Sequence, residues 1–269
     1  MKSGRKLGKN ILTALLGCAL LVTAVTGFAQ DHATELAKKL QNPVGDLISV
    51  PLQNNFNFGY GPENNLQYVL NIQPVIPQHL NKQWNWIHRT ILPVINQPSP
   101  VNTFGLGDIQ YQGFLSPAQP GKTIWGVGPV LQVPSATDEQ LGTGKWSAGA
   151  GGVVLHMDGH WVNGALLNNI WSFAGDGSRT YVNQMLCQPF VNYNLGRGLA
   201  VGSAPIITAN WAAPSGQQWT VPLGAQVSQI IPIAKVPVNF LLGGYYNIVK
   251  PDNGPEWALR FQIALLFPD

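Results

Sequence analysis

Apolar and polar residues alternate along much of this chain, most clearly near its C-terminal end. In residues 257–267 one face of an extended segment would carry the apolar set Trp257, Leu259, Phe261, Ile263, Leu265 and Phe267. The opposite face would carry Ala258, Arg260, Gln262 and Ala264. A period of two is the period of a β-strand whose two faces meet different surroundings. The pattern therefore predicts strands with one apolar side and one wet side.

Similar segments recur after residue 51, separated by runs of Gly, Pro, Asn, Asp and Ser. We predict twelve strands, at residues 52–60, 66–77, 84–95, 107–116, 123–134, 145–156, 160–173, 182–193, 199–211, 218–230, 236–248 and 256–267. Each is long enough to cross a bilayer when tilted, which takes about 9 to 11 residues. The gaps between them are alternately short and longer, as in barrels with short periplasmic turns and long outer loops. The predicted fold is all-β: a transmembrane, antiparallel, up-and-down β-barrel with a short N-terminal periplasmic helix.

The low charge content favours a membrane environment. Charged residues make up 10% of the chain, against roughly 25% in soluble globular domains. Beyond the N-terminal region, no apolar run approaches the ~18 residues that a membrane helix needs. The formal net charge of +3 includes the basic residues near the N-terminus, so the rest of the chain is close to neutral. Without a cluster of Lys and Arg, the chain lacks the electrostatic footprint of a nucleic-acid binder.

The N-terminal residues are organised like a signal peptide. A basic stretch precedes an apolar run at 11–25, and the small residues Gly27 and Ala29 predict cleavage after Ala29. We therefore expect export to the cell outer membrane. After a helix that ends near Pro43, residues 44–50 form either a small plug in the barrel mouth or a lead into the first strand. The predicted domains are the signal peptide (1–29), the periplasmic helix or plug segment (30–51) and the outer-membrane barrel (52–269).

A few charged and amide residues within the strands are candidates for the barrel interior. Burying a midplane Arg in lipid costs about 2 to 4 kcal/mol, so such residues are expected to face inward. The predicted lumen constriction consists of Gln73, Arg89, Asp108, Gln110, Gln112, Arg260 and Gln262. Together they could select solutes by size and hydrogen bonding. The alternative is that they form an internal ion-pair network that plugs a narrow barrel.

Tryptophans and prolines add two further expectations. The tryptophans lie near predicted strand ends, which is typical of aromatic girdles at the two membrane interfaces. The predicted girdle residues are Trp84, Trp125, Trp146, Trp171, Trp219 and Trp257. Prolines occur inside predicted strands at positions 74, 93, 129 and 189, where each removes a ladder hydrogen bond. We therefore expect bulges or bends at these four places.

Enzyme chemistry has little support in the sequence. It contains no Gly-x-Ser-x-Gly nucleophile motif, no His-Glu-x-x-His zinc motif and no phosphate loop. His156 and His160 are four apart, but they flank a predicted turn and are interpreted as a polar hairpin rather than a metal site. No catalytic residue, metal or cofactor is predicted. Two alternatives to a pore stay open: a secreted soluble β-sandwich binding protein, and an outer-membrane lipid-modifying enzyme with a Ser/His pair on its outer wall.

Several longer phrases carry a family resemblance. They are LAKKLQNPVGDLISVPLQNNFNFGYGP, LNIQPVIP, FGLGDIQYQGFLSP, IWGVGPVLQVPSATDEQLGTGKWSAG, QWTVP and WALRFQIALLFP. The chain resembles a bacterial outer-membrane β-barrel family whose members are labelled as transporters, sometimes under the misleading name neuromedin U. The Gly-Leu-Gly-Asp at 105–108 is also similar to a motif of outer-membrane proteins associated with phenol degradation.

The resemblance implies a function and a set of partners. It implies passive passage of small solutes, with apolar or aromatic molecules among them. Outer-membrane lipid is an expected partner, and so is the barrel-assembly machinery, which would engage the C-terminal strand. That strand departs from the usual ending, because Pro268 and Asp269 follow the terminal aromatic Phe267.

Overall fold

The protein is described by a computed structural model that covers residues 27–234 and 236–268. One helix, α1 (Gly27–Leu40), precedes fifteen β-segments. These are β1 (Ile48–Tyr60), β2 (Asn65–Ile72), β3 (Val75–His79), β4 (Trp84–Gln97), β5 (Thr103–Leu106), β6 (Ile109–Pro117), β7 (Thr123–Val133), β8 (Lys145–Asp158), β9 (Trp161–Gly175), β10 (Asn183–Gly196), β11 (Leu199–Ser203), β12 (Ile207–Asn210), β13 (Trp219–Ile233), β14 (Val236–Val249) and β15 (Trp257–Phe267). The predicted signal peptide falls mainly outside the described residues and stays a prediction.

All the segments belong to one antiparallel sheet that closes on itself. β1 pairs with β15, and β9 pairs with β10, so the sheet has no free edge strand. The pairs β2–β3, β5–β6 and β11–β12 each form one interrupted strand, which gives a closed barrel of twelve strands. The predicted fold is therefore confirmed. Every strand among the described residues belongs to this one sheet, which rules out a β-sandwich. None of the described helices is long and apolar enough to cross a membrane.

The two ends of the barrel differ in how the strands are connected. One end carries the short connections at 80–83, 118–122, 159–160 and 197–198, together with the start of β1 and the end of β15. We call it the short-turn end. The opposite, long-loop end carries the longer connections 134–144, 176–182, 211–218 and 250–256, together with the short connections 61–64 and 98–102.

Side chains alternate between the outside of the barrel and its lumen, as the sequence predicts. On β13, Leu223 is 65% exposed on the outer surface, and Val227 also points outward. Gln226 and Ser228, on either side of Val227, line the interior cavity. The terminal strand follows the same rule, because Arg260 and Gln262 line the cavity while Trp257 is exposed. Apolar residues at alternate positions of each strand thus form the outer surface of the barrel wall.

Prolines explain why three strands are interrupted. The β1 register places Pro51 opposite Gln73, next to Pro74, in the gap between β2 and β3. The β10 register places Pro189 opposite Pro205, in the gap between β11 and β12. Proline has no N–H to donate, so the facing Pro189 and Pro205 cannot make a ladder hydrogen bond. At the other gap Pro51 and Pro74 each lack a donor, although Gln73 N–H still donates to the Pro51 carbonyl at 2.9 Å. In both places the strand is interrupted and pairing resumes in the same register.

The other two predicted distortions are also present. The gap between β5 and β6 lies opposite Pro93, and the pairing with β4 shifts by one residue across it. Beside Pro129, the pairing of β6 with β7 skips the residues opposite Gly128 and Pro129. The predicted strand distortions at the four prolines are therefore confirmed.

The N-terminal segment lies inside the barrel at the short-turn end. Leu36 of α1 is buried in a cluster with Leu47, Ile230 and Leu266, of which the last two point inward from the wall. Val44, which follows the helix, packs into a second cluster of inward side chains. The sequence predicted a short N-terminal periplasmic helix, and the structure places one short helix at this end of the barrel. Apolar residues of the barrel interior cover the apolar side of the helix and keep that side out of water. That this end faces the periplasm stays a prediction.

Residues 44–50 contain both buried apolar side chains and the start of the first strand. Val44 and Leu47 are buried as a plug, whereas β1 already begins at Ile48, four residues before the predicted strand. The helix begins at Gly27 and ends at Leu40, shortly before Pro43.

Candidate lumen site

A cavity of about 430 Å³ occupies the barrel interior next to the N-terminal segment. Ligand pockets commonly measure about 300 to 1,000 Å³, so a small organic molecule fits. All seven residues of the predicted constriction line this cavity: Gln73, Arg89, Asp108, Gln110, Gln112, Arg260 and Gln262. Apolar side chains share the lining, namely Ile91, Leu166, Leu186, Phe190, Ile206 and Leu241. The cavity is therefore amphipathic rather than uniformly polar.

Arg89 is held by a row of amide side chains. Its Nη2 donates to Gln73 Oε1 at 2.8 Å, and its Nη1 donates to Gln112 Oε1 at 3.5 Å. Gln112 Nε2 in turn donates to Gln110 Oε1 at 2.7 Å. Gln73 is available for this contact because it lies in the proline-made gap between β2 and β3. The partners of the guanidinium are thus neutral oxygens.

Arg260 reaches within the lumen from β15 to the gap between β11 and β12. Its Nη1 donates to the Ala204 carbonyl at 3.0 Å, and its guanidinium carbon lies 4.8 Å from the centre of the Tyr245 ring. The Tyr245 hydroxyl accepts from Ala204 N–H at 3.2 Å and donates to Gln226 Oε1 at 2.8 Å. Ala204 can offer both backbone groups because the facing prolines have opened the ladder there. Within the described part of the chain, Arg260 Nε has no hydrogen-bond partner.

Asp108 anchors a loop rather than an arginine. Its Oδ2 accepts from both the backbone N–H and the hydroxyl of Thr143, each at 2.7 Å. Its Oδ1 accepts from Ala136 N–H at 3.3 Å, and Gln132 Nε2 donates to Oδ2 at 3.4 Å. The carboxylate thereby ties the 134–144 loop to the barrel wall.

The charged residues of the cavity are not paired with one another. Among residues 27–234 and 236–268, the ion pairs are Lys38–Glu35, His79–Asp46, Lys122–Asp158 and Arg179–Glu139. None of them involves Arg89, Asp108 or Arg260. The alternative of an internal ion-pair network is therefore not what the described residues form. Because Lys39 of α1 also lines the cavity, three cationic groups face a single carboxylate that is already engaged by a loop.

The sequence missed part of the lining. Lys39, Gln41 and Asn42 come from the N-terminal segment, which was not expected to reach so far into the lumen. Further amides lie on the inward faces of the strands, namely Gln53, Asn71, Gln132, Gln188, Asn192, Gln226 and Asn239. Their alternation with apolar neighbours could have identified them. The roles of Ala204 and Tyr245 had no such signal, because their contacts with Arg260 join distant parts of the chain.

The tryptophans form two groups along the barrel axis. Trp84, Trp86, Trp125 and Trp161 lie near the short-turn end, whereas Trp146, Trp171, Trp211, Trp219 and Trp257 lie near the long-loop end. Most of the predicted girdle residues are exposed, with Trp171 at 50%, and Trp84 is half-buried against Trp125. The placement is that of interfacial belts, and the girdle role itself stays a prediction.

The outer wall carries two histidine contacts that bear on the enzyme alternative. His88 engages Tyr111 through Nδ1 at 2.8 Å and Gln78 through Nε2 at 3.0 Å. His156 engages the Thr123 hydroxyl through Nδ1 at 3.0 Å. Neither histidine makes one of its described hydrogen bonds to a serine. The Ser/His arrangement that this alternative requires is thus not among these contacts.

Charged side chains at the long-loop end make hydrogen bonds within and between the loops. Arg179 donates to the carbonyls of Glu139 and Gly142, which joins the 134–144 loop to its neighbour. The hydroxyl and backbone N–H of Ser178 donate to Asp176 and hold the pKa of that carboxylate below its usual value. Such hydrogen bonds favour the ionised form of a carboxyl group.

The closed wall, the apolar exterior and the polar cavity together define the architecture of an outer-membrane β-barrel. No protein-family model matches the chain, and no curated protein matches it. The fold of an outer-membrane channel from Pseudomonas putida F1 is similar, with a TM-score of 0.62 and 16% sequence identity over 84% of this chain and 97% of that chain. At this identity the likeness shows the fold alone.

Two other solved structures are similar at a lower level. The outer-membrane phospholipase dimer of Salmonella typhi with bound calcium has a TM-score of 0.42 and 12% identity, over 83% of this chain and 91% of that chain. Salmonella typhi OmpF in complex with daunomycin has a TM-score of 0.36 and 8% identity, over 82% and 96% of the two chains. These scores are too low to support an argument about function.

Proposed function

We propose that the chain is an outer-membrane pore that lets small solutes pass passively. The observation that carries this proposal is a single closed wall with apolar side chains outside and an amphipathic cavity inside. In a lipid bilayer, every backbone N–H and C=O must find a partner within the protein, and a closed barrel provides this. A soluble protein gains nothing from exposing side chains such as Leu223 and Phe173, which are 65% and 68% exposed.

The barrel ends suggest an orientation in the membrane. Outer-membrane barrels have short periplasmic turns and longer outer loops. The short-turn end, with the N-terminal segment in its lumen, therefore faces the periplasm in this proposal. Lipid contacts the apolar wall between the two tryptophan groups, and the barrel-assembly machinery engages β15. The proposal includes membership of the outer-membrane transporter family that the sequence resembles, export by a cleaved signal peptide, and no catalytic step.

The volume and the lining of the cavity suggest the size and the polarity of the solutes that pass. At about 430 Å³ it holds roughly 14 waters, each of about 30 Å³ in the liquid. Small solutes fit such a volume. Phe190, Leu186 and Leu241 add apolar surface to the amides of the lining, which suits molecules with an apolar or aromatic part.

The N-terminal segment bears directly on conduction, since it fills the lumen at one end. Leu36→Asp would place a carboxylate in the apolar cluster formed with Leu47, Ile230 and Leu266. An unpaired buried charge costs several kcal/mol, so we expect α1 to leave the lumen while the barrel stays closed. The measurement is single-channel conductance in planar bilayers, where we expect small steps for the wild type and at least about twofold larger steps for Leu36→Asp.

The matched control is His32→Asp, which adds the same carboxylate to an exposed position of the same helix. Its conductance should equal that of the wild type. Each variant is checked for folding by its shifted mobility on unheated gels. If neither the wild type nor Leu36→Asp conducts although both are folded in the bilayer, the pore proposal is wrong.

A further inference from the structure

Arg260 carries a buried charge that the protein itself does not neutralise. The residue is 7% exposed, and its described partners are a backbone carbonyl and the face of a tyrosine ring. A buried ion without a counter-ion costs several kcal/mol in real proteins. Arginines in protein interiors therefore usually pair with carboxylates, whose two oxygens match the guanidinium fork.

We propose that the lumen contains a carboxylate-binding subsite centred on Arg260, and that the solutes of this barrel are small organic acids with an apolar body. The inference deepens the proposed function, because it names the class of solute that the pore would carry. Within the described part of the chain Arg260 Nε is buried and lacks a hydrogen-bond partner. The hydrogen bond described for the guanidinium is made by Nη1, so Nη2 is the donor that remains for a solute oxygen.

The surroundings keep the guanidinium in place without neutralising it. The Tyr245 ring lies 4.8 Å away and supports it from one side, while the Ala204 carbonyl accepts from Nη1. The Ala204 carbonyl lies in the ladder gap beside Pro205, and the Tyr245 ring lies on β14, which pairs with β15. The fork is thus fixed before a ligand arrives, which reduces the entropy lost on binding.

Charge elsewhere in the cavity favours the same kind of ligand. Arg89 is bound by the amide oxygens of Gln73 and Gln112, and Lys39 also lines the space. The carboxylate of Asp108 is occupied by Thr143 and Ala136. A solute anion therefore meets a net positive field in a site of reduced dielectric constant, where attraction is stronger than in water.

The rest of the lining selects the body of the ligand. Ile206 and Leu241 line the same cavity as Arg260, with Phe190 as an aromatic member. These side chains would cover an aromatic ring or a short acyl chain. Inorganic anions lack such a body, and a strongly polar acid such as a sugar acid would have to bury its hydroxyl groups against apolar surface.

Benzoate and benzamide provide a direct test, because they have nearly the same shape but only benzoate is an anion at neutral pH. We would titrate each into the folded, detergent-solubilised wild-type protein by isothermal titration calorimetry. We expect benzoate to bind at least about tenfold more tightly, the ratio typical of a hydrogen bond to a charged group. Equal affinities, or no binding of either, would overturn the inference.

Arg260→Gln removes the charge and keeps most of the side-chain length, so benzoate affinity should fall about tenfold to hundredfold. The matched control is Arg197→Gln, the same substitution at an exposed position beyond β10, and it should leave the affinity unchanged. If Arg260→Gln does not fold, Arg89→Gln serves as the second variant with an expected smaller loss. Unchanged benzoate affinity in a folded Arg260→Gln protein would also overturn the inference.

The calorimetric test is independent of conduction. A wild type that conducts in bilayers but binds benzoate and benzamide alike retains the proposed pore and loses the subsite. A wild type that prefers benzoate but never conducts retains the subsite and loses the pore.

Discussion

The lumen is divided into two regions that are built by the same strands but filled differently. At the short-turn end, inward side chains such as Ile87, Phe114 and Leu155 are apolar and fully buried, and Val44 of the N-terminal segment joins them. Towards the middle of the barrel the inward positions are Gln112, Arg260 and other polar residues around the cavity. We call these regions the apolar floor and the polar chamber.

The difference shows that barrel closure constrains only one face of each strand. In a lipid bilayer the outward face of a barrel must be apolar, whereas the inward face can be apolar or polar if its polar groups find partners. In the apolar floor the inward side chains pack closely against one another, and in the polar chamber they make hydrogen bonds. Packing contributes to stability, while hydrogen bonds to neutral groups leave charges available for a ligand. We therefore expect the two regions to respond differently to substitution.

The largest expected effect is on the floor. The ring of Phe114 is fully buried and lies over Gly151, where an added Cβ would come within 3.3 Å of Cε1. Phe114→Ala would leave a cavity that neighbouring strands cannot fill, which costs about 3 to 5 kcal/mol of unfolding free energy. The measurement is equilibrium unfolding by urea in lipid vesicles, followed by tryptophan fluorescence.

Phe173→Ala is the matched control, because Phe173 points outward and is 68% exposed. Its loss should cost less than about 1 kcal/mol, since lipid replaces the contacts of the ring. Equal costs for the two substitutions would mean that the floor is not the packed core of the barrel, and the comparison of regions would fail.

A smaller effect is expected at the edge of the chamber, where Asp108 holds the 134–144 loop. Asp108→Asn keeps the size of the side chain but replaces one acceptor oxygen with a donor, which conflicts with the donors of Thr143 and Ala136. We expect a loss of about 1 to 3 kcal/mol. Limited proteolysis of vesicle-bound protein, read by mass spectrometry, should show faster cleavage within the loop.

Asp138→Asn tests whether position or charge causes this effect. Asp138 lies in the same loop but is exposed, and its described contact is with the nearby Gln140 N–H. Its substitution should leave the cleavage rate close to that of the wild type. Loop cleavage that rises equally in both variants would show that Asp108 is not the anchor.

The fold could be predicted from the sequence because the alternation of residues is set by the membrane itself. On β15 and β13 exposed apolar residues alternate with inward ones, as a barrel wall in lipid requires, so this pattern can be recognised without distant contacts. The inward placement of Arg89 and Arg260 followed from the same rule. Prolines at positions 74 and 189 predicted ladder distortions because the missing N–H is a local property.

The remaining features depend on contacts that no local pattern encodes. Asp108 was expected to line the lumen, in a constriction or in an ion-pair network, and the sequence does not show that Thr143 from a later loop donates to its carboxylate. Arg260 donates to the Ala204 carbonyl, which lies in the gap between β11 and β12 opposite β10. The position of α1 depends on apolar residues of β13 and β15 that close the barrel far along the chain. Alternation predicts which way a side chain points, and tertiary structure decides what it meets.

The smallest effect is expected outside both regions, where a charge lies in water. Donation from Ser178 keeps the pKa of Asp176 below its usual value, so the folded state favours the carboxylate. That contribution to stability is present above the ordinary pKa of an aspartate and is lost as the pH falls through the lower folded value. Ser178→Ala should raise the pKa of Asp176 towards its usual value, measured by the pH dependence of the ¹³C shift of its carboxyl group.

Ser215→Ala, on another exposed loop, should leave that titration unchanged. Because Asp176 is exposed, its hydrogen bonds compete with water, and unfolding free energy at neutral pH should barely change. A large loss of stability in Ser178→Ala would mean that exposed loop charges, and not only the buried side chains of the floor, hold the barrel together.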